Sequence, residues 1–171
     1  MASTATDTLS PDLAHQQAAC LGVLLTNLGT PDAPTPAALR RYLGEFLWDP
    51  RVVELPRPLW WLILHGIILP LRPARSARKY QTIWTEAGSP LLAISRQQST
   101  ALADTLARRF PGPVRVALGM RYGTPSIAAA LAELRAAGAR RLLVLPLYPQ
   151  YSAATVASTF DAVSAELQRW R

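Results

Sequence analysis

The stretch RRLLVLPLYPQYSAAT, Arg140 to Thr155, changes character in its middle. Leu142 to Leu145 is a short apolar run with two arginines before it and Pro146 behind. That is the look of a strand buried on both faces of a parallel sheet. From Tyr148 the sequence turns to aromatics, hydroxyls and an amide, and from about Thr155 it opens an amphipathic helix. In open α/β sheets, ligands sit in the crevice beyond the carboxyl ends of the strands. A polar, aromatic loop in that place is where binding is expected.

Working outward, the same strand–loop–helix unit occurs twice more. Gly22 to Leu28 reads as a first strand, closed by Gly29-Thr30-Pro31. Thr35 then supplies an N-cap and Pro36 the first helical position, which suits the fixed φ and missing N–H of proline. Leu39, Leu43, Phe46 and Leu47 carry that helix to about Trp48, where Asp49-Pro50 stops it. Ser89-Pro90 starts a long helix marked by Leu91, Ile94, Leu102 and Leu106 and ending near Arg109. Val114 to Leu118 reads as a second strand, running into the loop Gly119 to Pro125. Thr124 is the expected cap and Pro125 the start of a helix bearing Ile127, Leu131 and Leu134, with Gly138 as its left-handed end. After the third strand, Val156, Phe160, Val163 and Leu167 make one helical stripe.

Strands and helices in alternation predict an α/β fold with a doubly wound parallel sheet and right-handed crossovers. Three strands make a thin sheet, and the sequence ends on Trp170-Arg171 in a helical pattern with no stop signal. The expectation is a tail over residues 1–20, an α/β domain over 21–171 that is incomplete, and a missing C-terminal part. The tail is rich in Ser, Thr and Ala and lacks the charged flank and apolar core of a secretory signal, so it is expected to be mobile.

The net charge is +7, with Lys79 the sole lysine among 18 basic residues. Guanidinium groups match planar oxyanions, but no basic cluster with interleaved aromatics stands out, so nucleic acid is not an expected partner. A single cysteine, Cys20, excludes an intramolecular disulfide and fits a reducing cytoplasm. Leu55 to Leu71 holds Trp60, Trp61 and a run of Leu and Ile. Its uninterrupted stretch, Leu59 to Leu69, is shorter than the ~20 residues a membrane span needs, carries His65 and is bracketed by Pro58 and Pro70. Two readings stay open: a buried helix, or an apolar lip that touches a hydrophobic ligand or a membrane surface.

Familiar catalytic patterns are scarce. The two histidines, His15 and His65, lie in the tail and in the apolar segment. No Gly-x-Ser-x-Gly elbow, phosphate loop or dinucleotide glycine pattern is present. What remains is a set of strand-end groups: Asn27, Leu28, Arg121, Tyr122, Tyr148 and the loop from Tyr151 to Thr155. They suit a flat, largely apolar ligand with anionic edges, the aromatics meeting its face and Arg and hydroxyls its carboxylates. Each tyrosine can equally be a packed side chain with its hydroxyl satisfied.

Four stretches carry a likeness to a known family: LLTNLGTP from Leu24, GSPL from Gly88, VALGMRYG from Val116 and LPLYPQYS from Leu145. In order and spacing the sequence resembles the ferrochelatases, lyases that insert ferrous iron into a porphyrin at the end of haem synthesis, and looks like the bacterial type. The resemblance implies a chelatase-like fold of two doubly wound domains with the porphyrin between them, this chain being the first. It implies porphyrin contacts from Leu28, Lys79, Tyr80, Ser89, Arg121, Tyr122, Tyr151, Ser152 and Thr155. The family's catalytic histidine and glutamate lie in its C-terminal half, so no catalytic residue and no metal ligand is carried over. No cofactor is implied for this chain, Fe²⁺ being a substrate of the whole enzyme. The segment Leu55 to Leu71 would be the lip of the cleft, with contact to the surface of the inner membrane as one expectation and a cytoplasmic location for the rest. The chain by itself is expected to be inactive; the alternative is a porphyrin-binding or inert piece without catalysis.

Overall fold

The computed structural model describes residues 20–170, so residues 1–19 of the expected tail, with His15, lie outside the described residues, and Cys20, placed in that tail, already belongs to the first strand. Three parallel strands form the sheet: β1 (Cys20–Thr30), β2 (Val114–Gly123) and β3 (Ala139–Pro146), in the order β2-β1-β3. β1 is therefore the central strand, and Val23, Leu24, Leu25 and Thr26 are shut off from solvent on both faces. The doubly buried strand expected at Leu142 to Leu145, in β3, is found at β1 instead. β3 is the edge of this sheet, and Leu142, Leu143 and Leu145 are exposed. Its apolar run signals burial, but the described residues provide only β1 beside it.

Helices cover both faces. α5 (Ile127–Ala136) and α6 (Ser158–Gln168) lie on the side to which Leu24 and Ala117 point, where Ile127, Leu131, Leu134 and Val163 complete a core. Side chains alternate along a strand, so Asn27 faces the other way, and there its amide donates to Ser95 Oγ of α4 (Pro90–Arg109) at 3.1 Å. A second core gathers α1 (Pro36–Trp48), α2 (Arg57–Ile63) and the start of α3 (Leu69–Ile83) around Tyr42, Trp60, Leu64 and Tyr122.

The apolar segment resolves into an amphipathic unit. α2 and α3 are joined without a break by a π-helical turn, Leu64–Ile68. That wider turn lets Leu69 N–H reach Leu64 O, so Pro70 falls in the first turn of α3, where its missing N–H costs little. Pro70 therefore does not close the segment. Trp60 is 6% exposed, whereas Trp61 is 51% exposed alongside Leu59, Leu62, Ile67 and Leu71. The buried-helix reading thus holds for one face, and the other face is apolar and exposed. No helix among the described residues is long and apolar enough to cross a membrane.

Local corrections follow the same logic. α1 starts as its sequence predicts, with Thr35 Oγ1 accepting from Ala38 N–H. Thr124 and Pro125 do not start α5. They form a cis peptide, Pro125 O accepts from Met120 N–H, and Ser126 caps the helix through Ala129 N–H. In α4, Leu102 and Leu106 of the expected stripe are half-buried but Leu91 and Ile94 are exposed, and the buried Ser95 accepts from Asn27. Phe160 is exposed as well. Val163 of the same stripe is buried and Leu167 packs against the first core, while Ser158 and Thr159, just after a π-helical turn at Ala153–Ala157, are buried as well. The α3 stripe of Leu69, Pro73 and Ala77 at helical spacing escapes notice because it is short and made partly of small residues.

Candidate functional site

The strand order places the site. From β1 the chain moves to β2 on one side and then crosses back over β1 to β3, so the winding reverses beside β1. Loops leaving adjacent strands at such a point diverge and leave a crevice at their carboxyl ends. Around it stand the ends of β1 (Leu28), β2 (Arg121, Tyr122) and the loop after β3 (Tyr148 to Ser152). Close pairing of β1 and β2 at this end depends on Gly29, whose φ is +105° and where a Cβ would stand 1.8 Å from Tyr122 O.

Asp49 is the centre of the geometry. It follows the last turn of α1, and its own N–H returns to Phe46 O. Its Oδ2 accepts from Arg121 Nη2 at 2.6 Å, from the Tyr122 hydroxyl at 2.7 Å and from Ser158 Oγ, while Oδ1 accepts from Arg51 N–H at 2.7 Å. Arg121 Nε donates to Ser158 Oγ at 2.6 Å and to Ser158 O at 3.0 Å. The Arg121 guanidinium also lies 4.5 Å from the centre of the Tyr122 ring. Next door, Arg51 reaches Asp161 at 2.7 Å, so the loop after α1 is pinned to α6 twice.

Electrostatics sorts these groups by role. Burial alone would raise the Asp49 carboxyl, but the Ser158, Tyr122 and Arg51 hydrogen bonds and the Arg121 charge outweigh it and hold the carboxyl below its usual range. Burial pushes the Tyr122 hydroxyl up, and the charged Asp49 that accepts from it adds to the rise. Tyr42, whose hydroxyl donates to Gly29 O at 3.3 Å, is raised by burial and then by the neighbouring hydroxyls of Tyr80, Tyr122 and Tyr148. Burial raises Tyr80 and Tyr148 too, the latter opposed by Thr159 and Arg121. The cluster is thus one ionised carboxylate among neutral phenols.

The residues expected from the sequence fall into three sets. Leu28, Arg121 and Tyr122 are together: Leu28 sits across from Arg121 in the β1–β2 register and packs against the core that holds Tyr122. Tyr122 itself is 1% exposed with its hydroxyl satisfied, which is the packed-side-chain alternative. Tyr151 is 71% exposed on the loop after β3, and Ser152 Oγ and Thr155 Oγ1 are bonded to each other at 2.7 Å. Lys79 is exposed on α3 beside the half-buried Tyr80. Ser89 is buried and accepts from Thr30 Oγ1 at 2.9 Å, lining a shallow hollow of about 260 Å³ with Trp84 and Arg96. Neither Lys79 nor Ser89 is hydrogen-bonded to the Asp49 cluster among the described residues.

Asp49, Ser158 and Tyr42 are the residues that sequence reasoning misses. Asp49 reads there as a helix stop, Ser158 lies off the apolar stripe and Tyr42 lies inside α1. No spacing signal singles them out, since their partners are 109 residues apart in one case. Among the described residues, no group of three or more His, Cys, Asp or Glu could hold a metal ion. His65 lies on the apolar unit, stacked on Trp61 with 4.9 Å between ring centres.

This arrangement defines a parallel α/β protein with a polar, tyrosine-rich cluster at its strand switch point. The family model described as Ferrochelatase matches residues 20–171. Over 160 residues the chain is 66% identical to the ferrochelatase of Thioalkalivibrio sulfidiphilus, covering 94% of this chain and 43% of that protein. It is 58% identical over 157 residues to the ferrochelatase of Marinobacter nauticus, covering 92% and 42% respectively. Ferrochelatase 2 of Shewanella oneidensis is 57% identical over 159 residues, or 93% of this chain and 48% of that protein. The chain belongs to the ferrochelatase family. It spans less than half the length of these curated relatives.

Proposed function

We propose that these residues form the porphyrin-holding wall of a ferrochelatase, which inserts ferrous iron into a porphyrin, and that they do so without supplying the reactive groups. The observation that carries this is the Asp49–Arg121–Tyr122–Ser158 cluster at the strand switch point of a chain that belongs to this family. Metal insertion requires two pyrrole N–H protons to leave and Fe²⁺ to shed its water. The phenols here have raised proton affinity and stay neutral near pH 7. Asp49 is ionised, but its oxygens are taken up by four donors. Neither is a free base. Leu28 carries no lone pair and cannot be an axial ligand.

In this reading Leu28 and the aromatic side chains meet the face of the macrocycle. Arg121, Lys79, Tyr80, Ser89, Tyr122, Tyr151, Ser152 and Thr155 serve its edge, Tyr122 and Ser89 from behind because both are buried. Proton removal and metal delivery fall to the part of the relatives that this chain does not cover. The exposed row Leu59, Trp61, Leu62, Ile67 and Leu71 is the greasy border where the macrocycle enters. The same row is proposed to rest on the cytoplasmic surface of the inner membrane.

Two assays test this. Titration of the 171-residue chain with protoporphyrin IX, followed at the Soret band, should show saturable binding. An iron-insertion assay should show no turnover by this chain, with the intact Thioalkalivibrio sulfidiphilus relative as the positive control. Turnover by the chain would refute the division of labour; an unshifted Soret band would leave an inert piece.

A further inference from the structure

Arg121 is held by two of its three nitrogens. Nε is engaged with Ser158 and Nη2 with Asp49, while Nη1 makes no hydrogen bond to any of the described residues and the side chain is 19% exposed. A guanidinium is planar, so fixing two of its nitrogens fixes the direction of the third. The holder is rigid in turn. Asp49 is 3% exposed, is anchored at the end of α1 and is tied through Oδ1 to the Arg51 backbone. The carboxylate joins three parts of the chain at one oxygen: the end of α1, the end of β2 and the first turn of α6.

We propose that Asp49 is a positioning residue for porphyrin binding: it holds the Arg121 guanidinium so that the free Nη1 edge points at an acceptor on the bound macrocycle. The acceptor class that best matches such an edge is a carboxylate. Asp49 touches no substrate in this scheme; it acts through Arg121. Without it the guanidinium would sample several rotamers, and binding would bear the entropy of fixing one. The proposal rests on the porphyrin-holding reading given above.

The test is a double-mutant cycle on the 171-residue chain, with protoporphyrin IX affinity read from the Soret band. Asp49→Asn should weaken binding about tenfold where Arg121 is present and less than about twofold in an Arg121→Ala background. A role in general stability would weaken both backgrounds alike. Urea unfolding of each variant checks that it folds. If Asp49→Asn does not fold, Ser158→Ala replaces it, since Ser158 both accepts from Arg121 and donates to Asp49, and the same dependence on Arg121 is expected. Equal losses in the two backgrounds, or no loss in either, overturn the proposal while leaving the porphyrin reading intact. A wild-type chain that binds no porphyrin overturns both.

Discussion

Trp60 and Trp61 are neighbours in sequence with opposite surroundings, and replacing each by alanine should separate the two faces of the apolar unit. Trp60 is buried among Tyr42, Leu43, Leu47, Leu64 and Leu69. Its Nε1 donates to Leu47 O at 2.8 Å, one of the α1 carbonyls left without a helical partner. Trp60→Ala removes the largest side chain of that core, a loss of about 3–5 kcal/mol. Exposing or orphaning the carbonyl adds to this, by about 1 kcal/mol. For a domain whose whole stability is about 5–15 kcal/mol, the variant should be near its limit. Its melting temperature should drop by about 8–24 °C. Trp60→Phe keeps most of the volume and loses the hydrogen bond, so about 1–2 kcal/mol is expected. Trp61→Ala forfeits only a stack on His65 and should cost at most about 1 kcal/mol. Urea unfolding followed by circular dichroism reads all three. Equal losses for the two alanine variants, or a larger one for Trp61, would refute the assignment of inner and outer faces.

Two further predictions concern two glycines of positive φ and the buried carboxylate. Gly29→Ala meets the Tyr122 carbonyl at 1.8 Å and a φ of +105°, whereas Gly88→Ala meets open space at φ +90°. The first should cost well above about 3 kcal/mol and the second about 1–2 kcal/mol, both read from urea midpoints. Asp49 gives a pH dependence with a definite sign. Its carboxyl is held below the ordinary value in the folded chain, so its contribution is present above about pH 4 and is lost as pH falls through the lowered folded value. Wild-type and Asp49→Asn stabilities should therefore begin to converge below about pH 4 and go on converging as pH falls through the lowered folded value. A gap that stays constant on acidification would mean that the carboxylate is not ionised in the folded chain.

Much of the fold was legible because its signals are local. Thr35-Pro36 starts a helix by its own chemistry, Gly138 ends one by taking φ +76°, and the short apolar runs mark strands whatever surrounds them. The misreadings share a cause. Leu142 to Leu145 is as apolar as β1, yet a run of leucines carries no record of whether a neighbour lies beside it. Phe160 fits a helical stripe with Val163 and Leu167, yet it is exposed while they pack inward, and residue type does not record how wide a face of the helix its neighbours cover.

The candidate site divides in the same way. Residue types beyond each strand end, Arg121-Tyr122 and Tyr148 to Ser152, determine by themselves that a polar, aromatic surface gathers at one edge of the sheet. That follows from parallel connectivity, which brings the carboxyl ends together whatever the loops contain. Only the tertiary structure decides that Asp49, an ordinary helix stop in the sequence, becomes the acceptor for Arg121, Tyr122 and Ser158. Hydrogen bonding is short-ranged and directional, so it depends on where three distant segments come to rest. No pattern within any one of them encodes that meeting.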